Sequence, residues 1–146
     1  MHPVLTDPFD LSRFVTAQEG SYQTALNELR AGKKRSHWMW YVFPQFTGLG
    51  VSAMAKKYAI QSRAEAEAFH AHAILGPRLE ECAETLLGVE GRSAEQIVGF
   101  PDFVKLCSSM TLFAEVTPPG SIFERVLGKY YAGLRDEKTL EFIGPK

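Results

Sequence analysis

At 146 residues, with 45% hydrophobic and 23% charged residues, the chain has the size of one domain and a globular rather than a disordered composition. A net charge of −1 gives no general pull toward nucleic acid or anionic membrane. No apolar run approaches a membrane span, and "MHPVLTDPFDL" lacks the cationic region and apolar core of a secretory signal, so a cytoplasmic domain is expected.

Helix signals dominate from the start of the chain. Asp10 is placed to cap a helix beginning at Leu11, where Leu11, Phe14 and Val15 recur at helical spacing. After Gly20, Ser21 restarts the pattern, with Tyr22, Ala25, Leu26 and Leu29 on one stripe. Gly32 follows as a stop able to take positive φ. The aromatic run "HWMWYVF" has strand-like composition but no partner strand, so a short helix from Ser36 to before Pro44 is expected. His37, Trp40 and Tyr41 would then share a face.

Ser62-Arg63-Ala64-Glu65, Ser93-Ala94-Glu95-Gln96 and Ser121-Ile122-Phe123-Glu124 each have the form of a capping box, in which hydroxyl and carboxylate or amide satisfy two orphan amides. Pro77 suits a helix's first turn and Gly88 its end. Pro101 opens Asp102–Glu115, with Phe103, Leu106, Cys107, Met110 and Phe113 or Ala114 as its apolar stripe. Pro118-Pro119-Gly120 is a break, and helices over Ile122–Tyr131 and Glu137–Phe142 complete the chain. The expected fold is a compact single all-α domain over residues 1–146, a bundle of seven or eight short helices.

The common catalytic and cofactor motifs are absent: no phosphate loop, dinucleotide fingerprint or nucleophile elbow occurs, and no cofactor is implied. His70-Ala71-His72 has the wrong helical spacing for a shared metal, so no metal site is expected. Glu80, Glu81 and Glu84 read as a solvated face. Cys82 and Cys107 read as two buried thiols in a reducing compartment rather than a disulfide. Lys33, Lys34 and Arg35 follow a helix C-terminus, where cations are favoured without any ligand. On the Lys105–Thr111 stretch, Lys105, Ser108 and Ser109 lie on one side. A lysine-activated serine is one reading, and hydroxyls bonded to carbonyls one turn back are the simpler one. The cluster Trp38, Trp40, Tyr41, Phe43 and Phe46, joined by His37 and Gln45, fits either a core or the aromatic wall of a pocket.

The runs "RSHWMWYVFPQ", "GLGVSAMAKKYAI", "KLCSSMTLF" and "RDEKTLEF", in this order, resemble the bacterial family known as domain of unknown function 1810, over about residues 11–140. Some members carry the label calpastatin, which nothing in these residues supports. The resemblance implies an all-helical fold and no established activity. Its pattern falls on Gln18, Tyr22, Lys34, Ser36, His37, Trp38, Trp40, Pro44, Gln45, Ser52, Tyr58, Lys105, Ser108, Ser109, Thr111, Asp136 and Thr139. Tyr41 replaces an expected phenylalanine and would put a hydroxyl at a pocket rim.

So polar a pattern raises the expectation of a site for a small anionic ligand. Lys34 and Lys105 would supply charge, Trp38 or Trp40 a stacking wall, and Gln45 and Ser109 orienting bonds. Gln18, Tyr22, Ser108 and Thr111 would lie around them, and His37 would bind or act as a general acid–base. The alternative is a protein-interaction module whose aromatic cluster is core. Neither nucleic acid nor membrane is expected as a partner, and the oligomeric state stays open.

Overall fold

The structure is a computed structural model describing residues 6–145, so the N-terminal stretch read for a signal lies partly outside it. Ten helices follow one another: α1 Ser12–Glu19, α2 Tyr22–Arg30, α3 Met39–Val42, α4 Ala53–Lys57, α5 Arg63–Ala71, α6 Leu75–Gly88, α7 Ala94–Val98, α8 Asp102–Glu115, α9 Ile122–Tyr130 and α10 Glu137–Ile143. Among the described residues the one β feature is a single parallel bridge, Phe46 to Ile60. Over the described residues the fold class is therefore all-α, but with ten helices rather than seven or eight. The excess lies in one-turn pieces. α4 buries none of its residues and so has no apolar period to betray it; the Ser52 hydroxyl, accepting from the Ala55 amide at 3.1 Å, starts it.

α8 is the central helix. It packs against α3, α5, α7, α9 and α10, while α6 packs against α2, α5 and α9. Leu106, Met110 and Phe113 have no exposed surface, and Phe14, Phe69, Phe113 and Phe123 form a ladder of tilted and edge-on rings at 4.9–5.7 Å. Where α6 crosses α5, a Cβ on Gly76 would stand 2.0 Å from the His70 carbonyl oxygen, so only glycine allows that approach.

The starts and stops are partly as expected. Ser93 and Gln96 form a complete capping box. Ser62 and Ser121 cap α5 and α9 through their hydroxyls, but Glu65 and Glu124 accept from the amides of Gln61 and Gly120, one residue earlier than the box places them. Asp10 does not cap α1: it sits at φ 52°, and the Asp7 carboxylate takes the Leu11 and Ser12 amides at 2.8 and 2.9 Å. Those two amides hold the Asp7 carboxyl below its usual range. Gly32, at φ 72°, ends α2. Its amide bonds to Leu29 O and the Lys33 amide to Glu28 O, the paired bonds of a Schellman turn.

Arg13 fixes the N-terminal segment. Its guanidinium donates to the carbonyls of Phe9, Asp10, Lys57 and Ala59 and to Glu65 Oε2, so its five N–H groups are all used.

Candidate functional site

The motif Lys34–Gln45 is organised by a residue outside it. Glu28, in the last turn of α2, accepts the amides of Arg35 and Ser36 at 2.9 and 3.0 Å, the Ser36 hydroxyl at 2.6 Å and the Trp38 indole N–H at 2.9 Å. Burial alone would raise its carboxyl. The Ser36 hydroxyl, the Arg35 amide, the Trp38 indole and the Ser36 amide outweigh that and bring it to about 2. These bonds hold Ser36 and His37 out of helix, so the helix expected from Ser36 shrinks to Met39–Val42 and His37 shares no helical face with Trp40 and Tyr41.

The sequence-derived candidates fall into three groups. In the first, Lys34 forms a 2.8 Å ion pair with Asp102 at the start of α8 and lies 5.1 Å from the Trp38 ring, while Lys105 Nζ stands 5.7 Å from the Trp40 ring. Trp38 is core and Trp40 half-buried. In the second, buried Gln18 donates to Tyr41 O at 2.8 Å and accepts from Arg78. The Tyr22 hydroxyl bonds to Glu81 and Arg78 O, with the Arg78 guanidinium 4.8 Å over its ring. Burial first, then the Glu81 contact, raise the Tyr22 hydroxyl far above its usual range. In the third, the single Ser108 O–H donates to Asp136 Oδ2 at 3.0 Å, with Val104 O also within reach at 3.3 Å. Thr111 donates to Cys107 O and accepts the Asp136 amide. Asp136 Oδ2 also takes the Thr139 amide and hydroxyl, which docks α10 on α8.

Most polar positions of the family pattern thus have partners within the fold. Polar residues at pattern positions serve here as pins between helices, which is why a polar motif alone does not single out a site. Tyr41 corrects one expectation directly: its hydroxyl donates to Ser21 Oγ at 2.9 Å in a buried setting, not at a rim. His37 is exposed, Gln45 is half-buried, and the Ser109 hydroxyl is buried with no hydrogen-bond partner among the described residues. Among the described residues, surface cavities of about 250 to 630 Å³ are lined by side chains other than His37, Gln45, Ser108 and Ser109.

The histidine, glutamate and cysteine expectations divide similarly. His70 Nε2 meets Glu80 Oε2 at 2.6 Å, and His72 Nδ1 accepts the Ile74 and Leu75 amides at the head of α6. Glu80 and Glu81 are therefore paired rather than simply solvated. Among the described residues no group of three or more His, Cys, Asp or Glu could hold a metal. Both cysteines are free; Cys82 is buried, but Cys107 is only half-buried, and burial raises both thiols, Cys82 to about 12.

One surface went unread in the sequence. The expected α8 stripe splits: Leu106, Met110 and Phe113 face the core, while Phe103 and Cys107 are only half-buried and join Phe100 and Val104 on the outer face. Phe103, Val104 and Cys107 lie at i, i+1 and i+4 on α8, and Phe100 precedes the helix in the turn before Pro101. The Phe100 and Phe103 rings stand 5.9 Å apart, the Tyr131 hydroxyl donates to Phe103 O at 2.5 Å, and Cys107 Sγ lies 3.8 Å from Leu134 O. Phe100 is 75% exposed, Leu134 70% and Val104 45%. A cavity of about 560 Å³, lined by Cys107, Tyr131, Leu134, Arg135, Asp136, Glu137 and Lys138, adjoins this stripe. The signal was available: Phe100 lies in Gly99-Phe100-Pro101 and Leu134 follows Ala132-Gly133, large apolar side chains where a turn ordinarily carries polar ones.

No helix among the described residues is long and apolar enough to cross a membrane. A search of curated proteins gives no match. The chain is similar to a solved structure, the conserved hypothetical protein Rv1873 from Mycobacterium tuberculosis, at 52% identity and TM-score 0.93 over 96% of this chain and 100% of that one. A family model described as "Protein of unknown function (DUF1810)" matches residues 8–143, and the chain belongs to that family.

Proposed function

We propose that this is a protein-interaction domain whose partner docks on the outer face of α8. The observation that carries the reading is the exposure of Phe100, Val104 and Leu134 together, beside a concave surface. Contiguous apolar patches on a monomer mark interaction sites, whereas isolated exposed apolar residues are ordinary. The burial of Trp38 and Phe43 supports the companion view that the aromatic motif is core. The near-neutral charge favours a protein partner over nucleic acid or membrane, and two free thiols fit a cytoplasmic setting. The test is selection of displayed random peptides on the immobilised protein. Peptides enriched on the wild type should be lost on Phe100→Asp and Leu134→Asp, with helical circular dichroism unchanged, and retained on Lys56→Ala of exposed α4. Enrichment indifferent to Phe100 and Leu134 would overturn the proposal.

A second reading keeps a small anion on the surface at the α3–α8 junction, with Lys105 and Trp40 as its contacts and the exposed His37 as acid–base if there is turnover. What favours it is that Lys105 has no carboxylate within 4.0 Å among the described residues while it stands over Trp40. Phosphate or citrate should then raise the melting temperature of the wild type and not of Lys105→Gln.

A further inference from the structure

We infer that the corner between α5 and α6 is a pH-sensitive catch, fastened by His72 in its neutral form and released when the ring takes a proton. The head of α6 depends on this one residue. The Ile74 and Leu75 amides donate to His72 Nδ1 at 3.0 and 3.2 Å, and the Gly76 amide donates to the His72 carbonyl at 3.0 Å. Pro77 has no N–H, and Ile74, at the N-cap position, has no side chain that could accept. Every donor of the first turn therefore finds its partner on His72. Leu75 has no exposed surface, so its amide is closed off from water while the corner is fastened.

A ring nitrogen accepts a hydrogen bond only while it keeps its lone pair. Nδ1 accepts here, so the ring proton sits on Nε2, and a second proton has to go onto the atom that holds α6. The imidazolium would orphan both amides and set a positive charge at the positive end of the helix dipole. Below the histidine range the unfolded chain binds a proton that the fastened corner refuses. The contribution is therefore present at the upper end of that range and is lost as pH falls through it, from about pH 8 to pH 5.

The surrounding charges do not reverse this sign. Asp7 and Glu19 line one concavity with His72, and His70 and Glu80 line another. Asp7 is engaged by the Leu11 and Ser12 amides, and His72 is the weakest of the influences on its carboxyl. Glu80 is engaged by His70 at 2.6 Å. Glu19 forms no ion pair with the His72 ring among the described residues. His70 responds in the opposite direction, because a proton turns its contact with Glu80 into an ion pair. Acid thus frees α6 from His72 while it keeps α5 tied to Glu80, so the corner rearranges rather than unfolds. What moves with it is Ile74, which is 42% exposed and forms a wall of a concavity of about 630 Å³ beside Leu11, Val15 and Ala68.

The experiment follows the isotope-labelled full chain by NMR across the histidine range, with urea unfolding at the same pH values. In the wild type the Ile74 and Leu75 amide signals should move together with the His72 ring signals, as one titration. Asparagine is a strong helix cap whose amide keeps its acceptor in acid. His72→Asn should therefore keep α6 and lose the response. Toward the acid end the unfolding constant of the wild type should rise about tenfold relative to that of His72→Asn, the scale of one to two net hydrogen bonds. His70→Gln should leave the titration of the Ile74 and Leu75 amides in place. Amide signals that stand still while the ring titrates would overturn the inference, as would a ring that stays neutral throughout or a ratio of unfolding constants that does not change with pH. If His72→Asn fails to fold, the wild-type spectra decide alone, since movement of the two amides with the ring supports the catch and stationary amides refute it.

Discussion

The Trp38 indole N–H donates to Glu28 Oε1 at 2.9 Å, across a Schellman turn and ten residues of chain. The same carboxylate holds the backbone of Arg35 and Ser36, so one acid in α2 determines where the aromatic motif leaves the helix and how Trp38 enters the core. A carboxylate with several donors is strongly bound, because each bond is charge-assisted.

Glu28→Gln should therefore destabilise the fold by about 1.5–3 kcal/mol at neutral pH, the range for hydrogen bonds to a charged group. The amide brings donors where Ser36 and Trp38 already donate. The folded carboxyl lies near 2, below its ordinary 4.5. A depressed pKa contributes stability that is complete above the unfolded value and is lost as pH falls through the folded one. The wild type should lose this contribution between about pH 4.5 and pH 2, and the variant should lack that component of the acid loss. Urea unfolding at a series of pH values measures both, and parallel curves for the two proteins would remove Glu28 from this role.

Much of the helical layout was legible in the sequence, and the reasons are local. Ser93 with Gln96, Pro101 before Asp102, and Gly32 after α2 are short-range signals, each satisfied by atoms within a few residues. Glu28 was not legible. It looks like any polar residue on a helix, and its partners lie seven to ten residues on, beyond a turn whose geometry no periodicity encodes. The site suffered from the same limit. Gln18 and Ser108 become intelligible only once Tyr41 O and Asp136 stand beside them. The outer face of α8 was hidden differently. A single apolar stripe was read across a helix whose apolar residues point two ways, and only the packing separates Leu106 from Phe103.

That separation makes a prediction within one helix. Leu106 is fully buried, so Leu106→Ala should cost about 2–5 kcal/mol, as for a leucine removed from a packed core. Val104→Ala, on the exposed face, should fall within about 0.5 kcal/mol. Denaturant midpoints at constant m-value compare the two directly. Similar losses at both positions would contradict the two-faced packing.

Asp136 should act as the latch of α10. Its carboxylate caps the helix through the Thr139 amide and ties it to α8 through the Ser108 hydroxyl. Asp136→Ala should cost about 1–2 kcal/mol, as for removal of an N-cap. The loss should concentrate in α10, whose amides should exchange with solvent sooner while α8 amides keep their protection. Hydrogen exchange followed by NMR resolves the two helices, and unchanged exchange in α10 would show that other contacts hold it.

The motif's neighbouring polar residues should respond in opposite ways. Ser36 and His37 are adjacent and both belong to the family pattern. The Ser36 hydroxyl is bound to Glu28 at 2.6 Å, whereas His37 is exposed and its ring makes no hydrogen bond among the described residues. Ser36→Ala should then cost about 1–2 kcal/mol, with an upward shift of the Glu28 carboxyl as it loses the hydroxyl that donates to it. His37→Ala should stay within about 0.5 kcal/mol, because nothing in the folded state depends on the imidazole. Thermal and urea unfolding of the two variants beside the wild type decide the matter. If His37→Ala proves as costly as Ser36→Ala, the imidazole holds a structural contact and belongs with the pins. If it is silent in stability but lowers the response of the protein to phosphate or citrate, His37 belongs to the anion reading at the α3–α8 junction, and Lys105→Gln should lower the same response.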